Sequence, residues 1–199
     1  MNFRKSNSLF LTFSKALYSL ISDQTEENQN APLNGWSIHP SSPCTGDVLD
    51  ITGKTNPHEI IGMVVSFTLN VPVIDNRYSY IFKNIRIPSG SNSFLVRSQK
   101  VNDLDFIVRM FVDFKRSFDA EDGVAEFFEK NVPAGNYEIV IEGNALDNEN
   151  EVKIDFVASQ TIKADEEGNF YCKYDTSSLP DGDFIVKIGD RERRVTLML

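Results

Sequence analysis

Hydrophobic and polar residues alternate in short runs from Trp36 to the C-terminus, and Gly, Pro, Asn and Asp separate the runs. A period of two indicates half-buried β-strands. No run of helical periodicity lies between them, which favours antiparallel sandwiches over a parallel α/β sheet. The sequence therefore predicts an all-β body. The predicted strands are Val48–Thr52, Met63–Leu69, Tyr78–Phe82, Phe94–Val96, Tyr137–Ile141, Val152–Phe156, Phe170–Tyr174 and Phe184–Ile188.

Three further segments fit the same pattern less fully. Residues 106–114 alternate only in part, and they are grouped with the predicted strands. Residues 124–128 fit either a short strand or one helical turn, and residues 194–199 predict the last strand.

The N-terminal residues 1–22 have a different pattern. They carry three basic residues and no acidic residue, and Leu9, Phe13, Leu17 and Leu20 recur at helical spacing. This predicts either a degenerate secretory signal or a short amphipathic helix that packs on the body or lies on a membrane. Residues 23–35 follow as a polar linker. The order of leader, linker and β-rich body is typical of a surface-tethered module, and it also suits a cytoplasmic protein.

An internal repeat appears within the body. Five landmarks of the first copy recur 89 to 92 residues later in the same order: a Gly-ended strand, a long strand, an aromatic strand, an apolar-Pro-x-Gly turn and a final strand. Examples are Ile51–Gly53 with Ile141–Gly143, Met63–Phe67 with Val152–Phe156, Tyr78–Tyr80 with Phe170–Cys172, and Phe94–Val96 with Phe184–Val186. The repeat predicts two related sandwich units, residues 36–131 and 132–199. Because the body is shorter than two units of about 100 residues, we expect them to be tightly packed or to share part of a sheet.

The apolar-Pro-x-Gly element occurs three times, and its glycines are Gly90, Gly135 and Gly182. Pro fixes φ at the start of a turn, and Gly accepts a positive φ without steric cost. Each copy is therefore predicted to reverse the chain with its glycine at positive φ.

Residues 165–174 and 179–188 combine an acidic-Gly turn, an aromatic strand, a Leu-Pro-x-Gly turn and a final strand. This order resembles the immunoglobulin-like modules of extracellular proteins, and Ser37–Asp47 with Ile51–Gly53 is similar to the first two strands of such modules. The whole arrangement also resembles uncharacterised β-sandwich surface proteins of methanogenic archaea. The resemblance implies two immunoglobulin-like antiparallel β-sandwich units behind a short N-terminal helix, acting as adhesive, spacer or scaffold domains.

Composition narrows the range of functions. The 199 residues carry a net charge of −9, and residues 1–22 contribute +3 of it, so the remainder holds −12. Nucleic-acid binding requires clustered Lys and Arg, so no nucleic-acid partner is predicted. The two His and two Cys have no zinc-ligand spacing, and no catalytic motif is present. The sequence therefore predicts a protein that is not an enzyme.

Acidic loops are the candidate metal site. Asp119, Asp122, Asp147 and Glu149 lie in two oxygen-rich segments, and calcium prefers six to eight oxygen ligands. The alternative is that these are solvated loops whose charges protect sheet edges. Cys44 and Cys172 are candidates for one disulfide if the chain is exported; otherwise Cys172 is expected to be a small buried hydrophobe.

Aromatic residues offer an alternative binding face. Six of them could form a sugar-stacking or partner-binding surface, whereas alternation within strands predicts a sandwich core. They are Trp36, Tyr78, Tyr80, Phe82, Phe127 and Phe128.

Taken together, these patterns predict a non-catalytic, surface-associated interaction or structural module. The alternatives are a carbohydrate- or calcium-binding module, or a small hydrolase with an unrecognised site. The expected partner is an unidentified protein or glycan at the cell surface, with membrane association through residues 1–22. Calcium is the one cofactor candidate. The expected location is extracellular or cell-surface associated, with the cytoplasm as the alternative.

Overall fold

A computed structural model provides the structure of this protein and describes residues 35–199. Over this range the chain forms thirteen strands and no helix, which confirms the all-β prediction. The described residues contain no helix long and apolar enough to cross a membrane. The strands are β1 (Trp36–His39), β2 (Val48–Lys54), β3 (Ile60–Pro72), β4 (Arg77–Ile87), β5 (Asn92–Gln99), β6 (Asp103–Arg109), β7 (Phe114–Asp119), β8 (Val124–Lys130), β9 (Gly135–Asn144), β10 (Glu151–Lys163), β11 (Asn169–Asp175), β12 (Gly182–Ile188) and β13 (Arg191–Leu197). The predicted leader at residues 1–22, and all but the last residue of the linker at 23–35, lie outside the described residues.

The strands form three antiparallel sheets. The central sheet has six strands in the order β13-β12-β3-β10-β5-β8. A three-stranded sheet has the order β1-β2-β11, and a four-stranded sheet has the order β4-β9-β6-β7. Consequently β11 and β4 are edge strands of the two smaller sheets.

Both smaller sheets pack on the same face of the central sheet. Phe156 pairs across the strands with Phe67 and with Val96, and these three side chains share the buried face. Phe82 of the four-stranded sheet makes an edge-to-face contact with Phe156, at 4.6 Å between ring centroids. From the three-stranded sheet, Leu49 and Ile51 face Val65, Phe184 and Val195. The arrangement is sandwich-like, with one long sheet covered by two shorter ones.

The pairing pattern has an internal two-fold symmetry. Strands β3 and β10 each have thirteen residues and pair along their whole length at the centre of the sheet. Val65 pairs with Val186 of β12, and correspondingly Phe156 pairs with Val96 of β5. Outside these strands, β13 pairs with β12 as β8 pairs with β5. The pattern of strand pairing is therefore the same from either edge of the central sheet, with β3 equivalent to β10 and β5 to β12.

The smaller sheets follow the same symmetry. Tyr78 of β4 pairs with Gly143 of β9, and Phe170 of β11 pairs with Gly53 of β2. At both glycines a Cβ atom would collide with the partner's aromatic ring, 2.9 Å from Tyr78 Cε1 at Gly143. Glycine is thus required at Gly53 because the Phe170 ring lies over the backbone, and at Gly143 because the backbone oxygen of Asp103, 2.5 Å from where a Cβ would lie, adds to the Tyr78 ring.

The symmetry corrects one detail of the repeat. The pattern aligns Met63 with Val152, whereas the pairing makes Met63 equivalent to Ile154, two residues further along. A shift of two residues keeps every side chain on the same face, so alternation alone does not detect it. Strands from both sides of the predicted boundary between residues 131 and 132 pair within each sheet. The division into two units stays a prediction.

Three local expectations are also settled. Residues 106–114 do not form one strand, because 110–113 make a turn between β6 and β7. Residues 124–128 belong to strand β8, not to a helical turn. Gly90 and Gly182 have positive φ as predicted, but Gly135 does not, so the prediction is wrong there. Gly135 instead begins β9, with the ring of Tyr137 3.2 Å from where its Cβ would lie.

Candidate functional site

A cleft of about 540 Å³ lies where the two smaller sheets meet over the middle of the central sheet. Its volume falls in the range of small-molecule and peptide sites. The floor is formed by strands β3 and β10, one wall by the end of β4 and the other by the end of β11. We call this the central cleft; it is lined by residues that include Met63, Val65, Phe67, Phe82, Ile85, Arg86, Ile87, Phe94, Phe156, Ala158, Gln160, Lys173, Tyr174 and Asp175.

The cleft exists because the internal symmetry is broken at two positions. Ala158 of β10 is equivalent to Phe67 of β3, and Gln160 is equivalent to Leu69, through the pairings described above. The second copy thus has a methyl group and an amide where the first copy has a phenyl ring and a branched aliphatic chain. These two replacements leave space on one side of the two-fold axis only.

On the other side, Phe67 fills the corresponding space. Its ring stacks on Phe156 at 4.9 Å between centroids and lies 4.8 Å from the ring of Phe184. Phe94, the counterpart of Phe184, is paired with the small Ala158, and its ring lies 6.3 Å from Phe156 and 6.2 Å from Phe106. The aromatic core is therefore asymmetric: Phe67 is matched by Ala158 on the side of the cleft, while Phe156 stands where the first copy has Val65.

Gln160 is held in place at the floor. Its Nε2 donates a hydrogen bond to Sγ of Cys172, at 2.9 Å. Burial raises the pKa of the Cys172 thiol, so at neutral pH the sulfur is uncharged. The amide oxygen of Gln160 accepts no hydrogen bond from another described side chain, which leaves a polar acceptor in an apolar floor.

The two walls carry equivalent aromatic residues, Phe82 on β4 and Tyr174 on β11. Burial raises the pKa of Tyr174 to about 12, and the nearby Cys172 and Asp175 act in the same direction. No described residue hydrogen-bonds to the Tyr174 hydroxyl. On the opposite wall, one extra residue between Phe82 and Ile85 makes a β-bulge, with Asn84 at φ 58°. The bulge places Ile85 and Ile87 along the cleft.

The rim of the cleft is polar and contains two cations. Arg86 stands on the β4 side, and Lys173 and Asp175 stand on the β11 side, where Nζ of Lys173 lies 4.0 Å from Asp50 and 5.8 Å from the centre of the Tyr171 ring. Hydrogen bonds from Ser177 lower the pKa of Asp175, and the charge of Arg86 contributes in the same direction. Arg86 is thus near enough for its charge to affect Asp175 on the opposite wall. Arg86 brings a positive charge to the apolar opening, which favours an anionic group on whatever binds.

The predicted calcium ligands lie elsewhere. The two acidic loops do come together, since Gly123 lies against Leu146 and the backbone of Lys100 bonds to both loops. However, Glu149 is occupied by Nζ of Lys100 at 2.6 Å. Within residues 35–199 no three His, Cys, Asp or Glu side chains are grouped so as to hold a metal ion. Calcium binding through Asp119, Asp122, Asp147 and Glu149 stays a prediction.

Both cysteines of the predicted disulfide are free in this structure. Cys44 is exposed in the turn before β2, and Cys172 is half-buried on β11 facing Gln160. The disulfide likewise stays a prediction.

The six aromatic residues considered as a binding face belong mostly to the core. Trp36, Tyr78, Phe82 and Phe127 are buried, and Tyr80 and Phe128 are half-buried. Phe82 alone contributes to the central cleft. The important cleft residues Ala158, Gln160 and Tyr174 were not singled out by the sequence as a site. The signal available was the repeat: in the correct register, Ala158 and Gln160 are the positions where the second copy has a smaller or polar residue in place of Phe67 and Leu69.

A second unanticipated feature is the tip of the β6–β7 hairpin. Phe111 is fully exposed, and Met110 and Val112 are 57% and 74% exposed beside it. Large apolar side chains clustered on a protruding turn often mark a contact with a partner or a membrane. The cations that flank the tip are engaged, with Lys115 bound to Asp105 at 2.7 Å and Arg116 to Glu129 at 2.7 Å.

No protein-family model matches this chain, and no curated protein matches its sequence. Over residues 35–199 the geometry defines an all-β, sandwich-like protein with an apolar cleft between its two smaller sheets.

Proposed function

We propose that this protein is a non-catalytic interaction module and that the central cleft is its binding site. The observation that carries the proposal is the broken symmetry: Ala158 and Gln160 open a space that Phe67 and Leu69 close in the equivalent half. An empty apolar space in a core costs stability, so a ligand that fills it gains both burial and packing.

The chemistry of the cleft suits binding better than catalysis. Its floor is largely apolar, and the polar side chains around it are amides, serine hydroxyls, a tyrosine, Asp175 and two cations; Ser93 and Ser159 are hydrogen-bonded to each other at 2.6 Å. Tyr174 and Cys172 are both held in their neutral forms by burial. A nucleophile or general base needs a pKa near the working pH, and neither group has one.

The surface association and the immunoglobulin-like character form part of this proposal. Antiparallel strands, short turns and the Pro-x-Gly repeats support the resemblance to extracellular modules, and the exposed hairpin tip at Met110–Val112 supports contact with another surface. The proposal that the chain is exported rests only on the resemblance and on residues 1–22.

Fluorescence titration with anilinonaphthalene sulfonate tests the proposal, because this dye joins an apolar ring system to an anionic group. We expect saturable binding of one dye per chain, and loss of that binding in the variant Ala158→Phe, which restores the residue of the equivalent half. Ser66→Phe is the matched control, because Ser66 lies on the opposite face of the same sheet. Equal binding by the wild type and Ala158→Phe would disprove the assignment of the cleft.

A further inference from the structure

The walls of the central cleft are edges of β-sheets, and this limits what can bind. β11 is the last strand of the three-stranded sheet and β4 the last strand of the four-stranded sheet. An edge strand presents a row of backbone N–H and C=O groups without partners in its own sheet. Here those two edges border an apolar floor.

The hydrogen-bond register shows which groups of β11 point into the cleft. At one end of the β11–β2 ladder, Thr55 N donates to Gly168 O at 2.8 Å, and at the other Thr176 N donates to Asp47 O at 3.1 Å. The ladder between them has no register shift. Because antiparallel residues alternate in direction, the even-numbered residues bond to β2 and the odd-numbered ones point away from it. Lys173 and Asp175 therefore direct their backbone groups towards the cleft, which both of them line.

These backbone groups distinguish between kinds of ligand. A purely hydrocarbon chain would bury N–H and C=O groups of the cleft wall without partners, which is costly. An extended peptide would pair with them and place alternate side chains on the apolar floor formed by Val65, Phe156 and Ala158. The Arg86 guanidinium at the rim complements a carboxylate on such a peptide.

We propose that the central cleft binds an extended peptide segment by strand addition to the free edge of β11. The segment carries apolar side chains at every second position and at least one acidic group. This inference rests on the proposed binding function, and it specifies the ligand class for that same site.

Selection from a displayed library of random seven-residue peptides tests this inference. The expected binders alternate apolar with other residues, contain Asp or Glu, and compete with anilinonaphthalene sulfonate. The decisive comparison uses a selected peptide and the same peptide with N-methyl groups on alternate backbone nitrogens. We expect at least tenfold weaker binding when the methylated nitrogens are those that face β11, measured by fluorescence anisotropy.

A protein variant provides the reciprocal test. Lys173→Pro removes an N–H that points into the cleft, at an edge position where proline is tolerated, and Lys173→Ala removes the same side chain but keeps the N–H. Peptide binding should fall at least tenfold more in Lys173→Pro than in Lys173→Ala, with melting temperatures showing that both are folded. Two methylated peptides cover the two alternate sets of backbone nitrogens; if both bind like the parent, strand addition is wrong whether or not Lys173→Pro folds. If the dye binds but no selected peptide competes with it, the cleft is a binding site and the peptide inference alone fails; if neither binds, both proposals fail.

Discussion

Phe67 and Ala158 occupy equivalent positions on the two sides of the central sheet, and they have opposite effects on the structure. Phe67 completes a close cluster with Phe156 and Phe184 on one side, at 4.9 Å and 4.8 Å between ring centroids, whereas Ala158 places only a methyl group opposite Phe94 and opens the cleft on the other. The backbone pairing is the same at both sites. The difference teaches that the cleft is produced by side-chain size within a repeated framework, and not by a different fold.

The largest expected effect comes from opening the filled side. Phe67→Ala should lower the free energy of unfolding by about 3–5 kcal/mol, because it removes a buried ring and leaves a cavity. Urea unfolding measures this loss. Phe128→Ala, on the opposite face and half-buried, should cost much less. Similar losses in the two variants would show that the aromatic cluster around Phe67 is not the main contributor to the core.

Tyr174 and Phe82 form the next comparison, because they differ only by a hydroxyl. The native pKa of Tyr174 is raised to about 12, above the ordinary value of 10.0. As the pH rises, the unfolded chain therefore loses this proton before the folded chain does. The contribution of the protonated Tyr174 to the free energy of unfolding is complete below pH 10 and is lost as the pH rises through about 12. The free energy of unfolding that is lost at alkaline pH should be smaller in Tyr174→Phe by up to about 2 kcal/mol, and stability at pH 7 should change little. Urea unfolding at pH 7 and pH 11 checks this, and an unchanged alkaline loss would contradict it.

Filling the open side should change the free energy of unfolding in the opposite direction from Phe67→Ala. Ala158→Phe is expected to raise the free energy of unfolding by about 0.5–2 kcal/mol, because the added ring occupies existing space beside Phe156 and Phe94. Thermal and urea unfolding measure the gain, with Ser66→Phe as the control on the other face. A loss of stability in Ala158→Phe alone would mean that the ring is overpacked and that the cleft is smaller than described.

The smallest effect is expected at the hairpin tip. Phe111→Ser should change the free energy of unfolding by less than about 0.5 kcal/mol, because the ring is fully exposed. Urea unfolding next to Phe67→Ala measures the contrast between a tip residue and a core residue. A loss of several kcal/mol at Phe111 would show that this ring is buried against another part of the protein.

The strands were largely predictable, since alternation is strong wherever one face is buried and the other is exposed. Strand β7 was missed as a separate element because Phe114–Asp119 is exposed at an edge and carries little alternation. The repeat was visible, but its register in the longest strand was two residues out, since a shift by two leaves the buried face unchanged. That error hid the site: only when Phe67 is matched with Ala158 does the missing ring become apparent.

The central claim is that Ala158 opens a binding cleft. Met63 lines this cleft, and the methyl groups of methionine test the claim most directly. Met63 is buried and lines the cleft, whereas Met110 and Met198 are exposed and do not line it, so they serve as internal controls. In a protein labelled with ¹³C at the methionine methyl groups, addition of anilinonaphthalene sulfonate should shift the Met63 signal and leave those of Met110 and Met198 in place. Ala158→Phe should abolish the Met63 shift. A Met63 signal that does not move in the wild type, or that moves equally in Ala158→Phe, would contradict the account.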